Sequence, residues 1–125
     1  MHSESNTAGP ILCAHLIRRV DEKLIELLNS LTMNEWDLPT LVPLWNVRDV
    51  AAHLLDTALR KISMARDGFY AEKVDICSHQ DLVTMVNRLN LEGVALYRRL
   101  SPQVLIEMTN KRLNGVISRH YRVIV

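Results

Sequence analysis

Hydrophobic residues recur in the first part of the chain at alternating spacings of four and three, which is the period of one helix face. This spacing predicts a helix over residues 11–31. Its apolar seam consists of Cys13, Ile17, Val20, Leu24, Leu27 and Leu31. Thr32 and Glu35 then have the spacing of a capping box, which predicts a short helical turn reaching Trp36.

A second helix is predicted over residues 47–67. Asn46 is a good N-cap, Asp49 occupies the third helical position, and Gly68 is a typical C-terminal stop. The apolar arc of this helix consists of Val47, Ala51, Leu54, Leu55, Ala58, Ile62 and Ala65. Residues 69–77 are interpreted as a loop.

A third helix is predicted over residues 79–100, with Ser78 as its cap and Asp81 three residues later. Its seam consists of Leu82, Val86, Leu89, Gly93, Leu96 and Leu100. A glycine inside a helix costs about 1 kcal/mol relative to alanine. Gly93 therefore indicates the close approach of another helix.

Ser101 and Pro102 form an N-cap and first-turn pair, which predicts a shorter fourth helix ending near Asn114 and Gly115. Residues 116–125 show no clear period, and we assign no element there. The periodic segments and their caps predict an all-α protein.

The connector between the first two helices contains Trp36 and Trp45 together with Pro39 and Pro43. Because an exposed tryptophan leaves a large apolar area in water, we expect both to be largely buried and to pin the connector to the bundle. The prolines restrict the backbone and give the connector a defined shape. A rigid connector leading to His53, in the second turn of the next helix, predicts a site there.

The composition is that of an ordinary globular domain, with 48% hydrophobic and 23% charged residues in a chain of 125. We expect a flexible N-terminus over residues 1–10 and a single domain over 11–125. The net charge of +1 gives no global field for nucleic acid or a membrane. No signal peptide or membrane span is recognisable, and Cys13 and Cys77 form no paired motif. A cytoplasmic protein with reduced thiols is predicted.

His53 lies beside Val50 and Thr57, at the margin of the apolar arc of its helix. On the residues alone, a boundary histidine is favoured over a metal ligand by roughly two to one. Asp49 and Asp56 lie about one turn before and after it, where either could orient the ring by a hydrogen bond. Helix-dipole stabilisation is the favoured role for Asp49, and a solvated charge for Asp56.

Other residues give weaker patterns. His15 is interpreted as a partly buried residue of the first helix, and Asp75-x-Cys77-x-His79 matches no standard metal spacing. His120 has neither an acid nor a histidine four residues before it. Arginines and lysines make the C-terminal quarter basic, but no nucleic-acid motif accompanies them, so solvated helix faces are favoured.

One longer pattern runs through the connector into the second helix. It consists of Trp36, Pro39-Thr40, Trp45-x-Val47-Arg48-Asp49 and Ala52-His53-Leu54, with looser similarity at Arg88-Leu89-Asn90 and Arg99-Leu100-Ser101-Pro102. This pattern resembles the DinB-like superfamily and, within it, the N-terminal domain of mycothiol-dependent maleylpyruvate isomerase.

The resemblance implies an up-down four-helix bundle, with the fourth helix short or missing, that binds a divalent metal such as zinc or nickel. In the family the ligands are a histidine on the second helix and a pair on the fourth, and only the first maps here, onto His53. The resemblance also implies mycothiol or another small thiol as a cofactor, with thiol-dependent isomerase or transferase chemistry. The alternative is a non-catalytic module with an incomplete metal site.

The long amphipathic helices offer more apolar surface than they can cover mutually. Because large exposed apolar patches are rare on soluble monomers, we expect a homodimer. The seam residues expected near the contact are Leu82, Val86, Leu89 and Leu96, and the gap at Gly93 is expected to help the two copies approach. We also expect His53 to lack a complete ligand set within its own chain.

Overall fold

The computed structural model describes the backbone of residues 14–114 and the side chains of residues 15–111. Over this range the chain forms four α-helices and no strand, which confirms the all-α prediction. The helices are α1 (Ala14–Ser30), α2 (Val47–Ala65), α3 (His79–Tyr97) and α4 (Pro102–Asn114). A single 3₁₀ turn, Glu35–Asp37, lies between α1 and α2. The fourth helix is present, and over the described range it is the shortest of the four.

Some sequence predictions fall outside the described residues. They concern the flexible N-terminus at 1–10, the helix start at 11–13 with Cys13, Gly115, and residues 116–125 with His120. The assignment of residues 11–125 to one domain stays a prediction.

The predicted helix starts are confirmed by their capping hydrogen bonds. The Asp49 N–H donates to Asn46 Oδ1 at 2.9 Å, and the Asn46 N–H donates to Asp49 Oδ2 at 3.2 Å. Ser78 Oγ accepts from the N–H three residues later at 3.1 Å, and Ser101 Oγ does the same at 3.2 Å. Local side-chain chemistry therefore fixes where α2, α3 and α4 begin.

The end of α3 lies three residues before the predicted position. The N–H groups of Arg99 and Leu100 bond the carbonyls three residues earlier, so the last turn tightens after Tyr97. The chain then turns into α4 at Pro102.

α2 is the central helix of the bundle, because it packs against α3, α4 and the 3₁₀ turn, while α1 packs on α4. α2 and α3 run antiparallel, as shown by the pairs Asp49–Arg98 and Arg60–Asn90. The buried core consists of Leu28, Trp36, Ala51, Ala52, Leu55, Leu105 and Ile106. All of these residues lie where α1 and α3 end and where α2 and α4 begin, a region we call the closed end.

The core-facing stripe of α1 lies one residue away from part of the predicted seam, and the buried stripe of α2 is narrower than its predicted arc, which contained both Leu54 and Leu55. Leu28 rather than Leu27 is buried in α1, and in α2 Leu55 is buried while Leu54 is exposed. The seam residues that the structure exposes are Val20, Leu27, Leu54, Ala65, Leu82, Val86 and Leu96. Adjacent leucines satisfy four-three spacing on two neighbouring faces, so the pattern alone does not select between them.

At the opposite end of the bundle, which we call the open end, the described side chains are less covered. It contains the first turns of α1, the end of α2, the loop over residues 66–78 and the first turns of α3. No described side chain between residues 59 and 92 is buried. Within residues 14–114, no helix has the length and hydrophobicity of a transmembrane span.

Candidate functional site

The connector before α2 contains a tight turn over residues 40–45, which we call the Thr40–Trp45 loop. The Trp45 carbonyl accepts hydrogen bonds from Thr40 Oγ1 at 2.8 Å and from the Thr40 N–H at 3.3 Å. The Trp45 N–H donates to the Val42 carbonyl at 3.2 Å. Leu44 has a φ of 69°, in the left-handed region. These bonds give the loop one defined shape, and the loop ends on Trp45.

The two tryptophans of the connector occupy different environments. Trp36 is buried in the core, which confirms its predicted role as an anchor. Trp45 is only partly buried, and its ring lies against the ring of His53 with 5.1 Å between centroids and 43° between planes. Trp45 therefore packs the loop against His53 of α2 and is not part of the buried core, so its predicted burial as an anchor is met only in part.

His53 lies in α2 with its side chain half-buried. Among the described side chains, the buried polar atoms without a hydrogen-bond partner are its Nδ1 and the Nε of Arg48. Most buried polar atoms in proteins are paired, so each such atom requires an explanation. Both of these atoms belong to the motif that the sequence pattern singled out.

Asp49 is engaged at the start of α2 and does not reach the histidine ring. Its side chain is 4% exposed and accepts from Arg98 Nε at 3.0 Å and Arg98 Nη2 at 3.3 Å. Burial alone would raise the pKa of the Asp49 carboxyl, but the hydrogen bonds from Arg98 and Asn46, with the nearby positive charges, lower it below its ordinary value. Asp49 completes the capping box with Asn46 in the first turn of α2, the position from which it was predicted to stabilise the helix dipole, and it makes no hydrogen bond to His53.

Asp56 is buried, at 8% exposure, so its prediction as a solvated charge is wrong. The reason is Gly93, where a Cβ atom would stand 2.1 Å from Asp56 Oδ2, so only glycine lets α3 close over this carboxylate. Asp56 accepts from Arg60 Nε at 3.0 Å, and Arg60 Nη2 donates to Asn90 Oδ1 at 2.8 Å. The predicted close approach at Gly93 is confirmed.

The other candidate residues are not brought together. His15, predicted to be partly buried, is exposed because it lies off the core-facing stripe of α1. Asp75, Cys77 and His79 are exposed, and the Cys77 N–H caps α3 by donating to Asp81 Oδ2. Among the residues whose side chains are described, no group of three His, Cys, Asp or Glu is placed to hold a metal ion.

The donor chemistry at His53 can be compared with what a metal ion requires. A neutral imidazole is a common ligand for zinc and nickel, and a catalytic zinc usually has three protein ligands. His53 supplies one such donor, whereas Asp49 and Asp56 are bonded to arginines. The side chains of residues 15–111 therefore do not form a complete metal centre by themselves.

Sequence reasoning missed two features of this site. Arg98, which pairs with Asp49 across 49 residues, had no local signal. The contact of Trp45 with His53 did have one. The residue before an N-cap commonly packs against the fourth helical residue, here Val50, and His53 follows three residues later on the same face.

The fold and site define a class of protein: a helical bundle whose tryptophan-anchored connector leads into a capped helix with a half-buried histidine. The family model of the mycothiol maleylpyruvate isomerase N-terminal domain matches residues 17–110. The chain belongs to this family. Neither the curated proteins nor the solved structures gave a match to the chain.

Proposed function

We propose that the chain is a metal-binding domain, in which His53 supplies one ligand to a divalent ion such as zinc or nickel. The observation that supports this is the half-buried imidazole at the family motif, packed against the ring of Trp45. The other ligands would come from outside residues 15–111 or from a second copy of the chain.

The reaction class follows from the family relation. A bound metal lowers the pKa of a coordinated thiol, which is the basis of thiol-dependent isomerase or transferase chemistry. We propose mycothiol or another small thiol as the cofactor, and a reducing cytoplasmic location is consistent with it. Trp45 would orient His53 and cover one side of its ring, while the Asp49–Arg98 pair would hold the start of α2.

Metal analysis of the purified protein tests this function. We expect stoichiometric zinc or nickel in the wild type, measured by elemental analysis after dialysis. His53→Ala should lose the metal, whereas the matched control His79→Ala, which removes an exposed histidine, should keep it. Metal retained in His53→Ala, or a wild type that takes up none, would contradict the proposal.

A second function is favoured by the exposure of apolar residues on α3. Leu82, Val86 and Leu96 are exposed there, which suits a non-catalytic module that forms a homodimer. Light scattering should then show a dimer at micromolar concentration, and Leu82→Glu with Leu96→Glu should shift it to monomer, whereas the exposed control Gln80→Glu should not. A metal-free dimer would favour this function over the first, and a stable wild-type monomer would remove it.

A further inference from the structure

Among the described residues, none gives the ring of His53 the partner that usually orients a metal-binding histidine. Such a histidine normally donates its second N–H to a carboxylate, a backbone carbonyl or water, and this bond fixes the ring. The Nδ1 atom of His53 is buried and has no partner within residues 14–114, and the carboxylates of Asp49 and Asp56 are bonded to arginines. The ring contact with Trp45 remains.

We propose that Trp45 is a positioning residue for His53, and that its indole holds the imidazole with Nδ1 buried and Nε2 directed to the ligand. A tryptophan offers a large rigid surface with few rotamers, so contact with it restricts the orientation of a neighbouring ring. Because solvent does not reach Nδ1, a ligand meets this histidine at its other nitrogen. The claim that Nε2 faces a ligand rests on the proposed function. The claim that Trp45 orients the imidazole ring does not.

The Thr40–Trp45 loop explains how Trp45 itself is held. The Trp45 carbonyl accepts two hydrogen bonds from Thr40, and its N–H donates to Val42. Leu44, directly before it, is 95% exposed yet has a left-handed backbone. Such a conformation is unfavourable for leucine and its side chain gains no packing, so the loop bonds maintain it. Strain of this kind is often found at functional sites.

Metal-free NMR spectra of histidine-labelled protein test the ring contact on which the positioning role depends. The aromatic ring current of Trp45 should displace the His53 ring-proton resonances. Trp45→Leu should abolish this displacement, Trp45→Phe should restore part of it, and the exposed-loop control Leu41→Ala should leave it unchanged. Unchanged His53 resonances in Trp45→Leu, or equal loss in Trp45→Phe and Trp45→Leu, would overturn the proposal. If Trp45→Leu does not fold by circular dichroism, the Trp45→Phe and wild-type spectra decide, because a smaller ring current must give a smaller displacement.

Zinc titration then tests the ligand part. In the wild type, zinc should shift the ¹⁵N resonance of Nε2 more than that of Nδ1. Trp45→Leu should weaken zinc binding roughly 10- to 100-fold, and Trp45→Phe should recover most of the affinity. A larger shift at Nδ1, or unchanged affinity in Trp45→Leu, would overturn it. A wild type that binds neither zinc nor nickel would overturn the proposed function and the Nε2 assignment together, whereas the metal-free spectra would still test the contact of Trp45 with the His53 ring.

Discussion

The two ends of the bundle differ in how they use their hydrophobic residues. At the closed end, the buried core brings together side chains from α1, the 3₁₀ turn, α2 and α4. At the open end, no described side chain between residues 59 and 92 is buried, and the loop between α2 and α3 exposes large apolar residues. These are Phe69, Tyr70, Val74 and Ile76.

Buried polar side chains are found towards the closed end, and exposed charged pairs towards the open end. Asp49, Asp56 and Thr109 are buried towards the closed end, and each has a hydrogen-bond partner there. The charged pairs towards the open end, such as Arg88–Glu72, are exposed and contribute little to stability. The family motif and His53 both belong to the closed end, so the candidate site is placed by the best-packed part of the molecule.

Truncating a core side chain should have the largest effect on the free energy of unfolding, and it tests the difference between the closed and open ends directly. Leu105→Ala removes a side chain that is 0% exposed at the closed end and should lower the free energy of unfolding by about 2–5 kcal/mol. Leu82→Ala, at the open end and 41% exposed, should cost less than about 1 kcal/mol. Urea unfolding of both variants measures the difference, and equal losses would show that the open end is covered in solution.

The sequence predicted more of the fold than of the site. The starts of α2, α3 and α4 were predictable because Asn46, Ser78 and Ser101 satisfy nearby backbone groups. The core-facing stripe of α1 was not, because Leu27 and Leu28 both fit a helical period.

Tertiary pairing explains what the sequence could not show at the site. The position of His53 was found through its motif, whereas the burial of Asp56 depends on Gly93, which is distant in sequence. The engagement of Asp49 likewise depends on Arg98, at the far end of α3. Of these two tertiary contacts, only the one at Gly93 had a signal in the sequence. A glycine on a helix seam indicates the close approach of another helix but does not identify the residue it meets.

Adding one carbon at Gly93 should separate α2 from α3 within the best-packed region. In Gly93→Ala the new Cβ would meet the Asp56 carboxylate, which is short, buried and bonded to Arg60. We expect a loss of about 1–3 kcal/mol in the free energy of unfolding. In the double variant Gly93→Ala/Asp56→Ala, the combined loss should be smaller than the sum of the single losses. Strict additivity in this cycle would mean that the two positions do not meet.

The Asp49–Arg98 pair should make the stability of the closed end depend on pH. Burial opposes ionisation, but hydrogen bonds from Arg98 and Asn46 hold the pKa of Asp49 below its ordinary value of 3.8. The folded state therefore favours the ionised carboxylate. Its stabilisation is complete above this pH and is lost as the pH falls towards the lower folded-state pKa. The effect should be smaller than that of core truncation, because Arg98 is half-exposed.

Thermal unfolding from about pH 5 to about pH 2 measures this contribution. The wild type should lose more stability over this interval than Arg98→Gln, in which the pair is removed. The pKa of Glu35 is also lowered, through hydrogen bonds with the Thr32 backbone and side chain. Because Glu35 is present in both proteins, its contribution to the loss of stability with pH cancels in the comparison. Parallel pH profiles would show that the Asp49–Arg98 pair contributes no stability.

The smallest expected effect concerns the backbone of the Thr40–Trp45 loop. Leu44→Gly relieves a left-handed conformation that costs a leucine on the order of 1 kcal/mol, and the greater freedom of glycine when unfolded offsets this by about 0.5–1 kcal/mol. The net change should lie within about 0.5 kcal/mol of the wild type.

Leu41→Gly is the matched control, since Leu41 is also fully exposed but does not share the positive φ, and it should lose about 0.5–1 kcal/mol. Chemical denaturation of Leu44→Gly and Leu41→Gly gives two free energies of unfolding, and their difference measures the cost of the left-handed backbone at Leu44. An equal or greater loss in Leu44→Gly would show that the loop does not keep this conformation in solution, and that Trp45 is held by its contact with His53 and not by the loop.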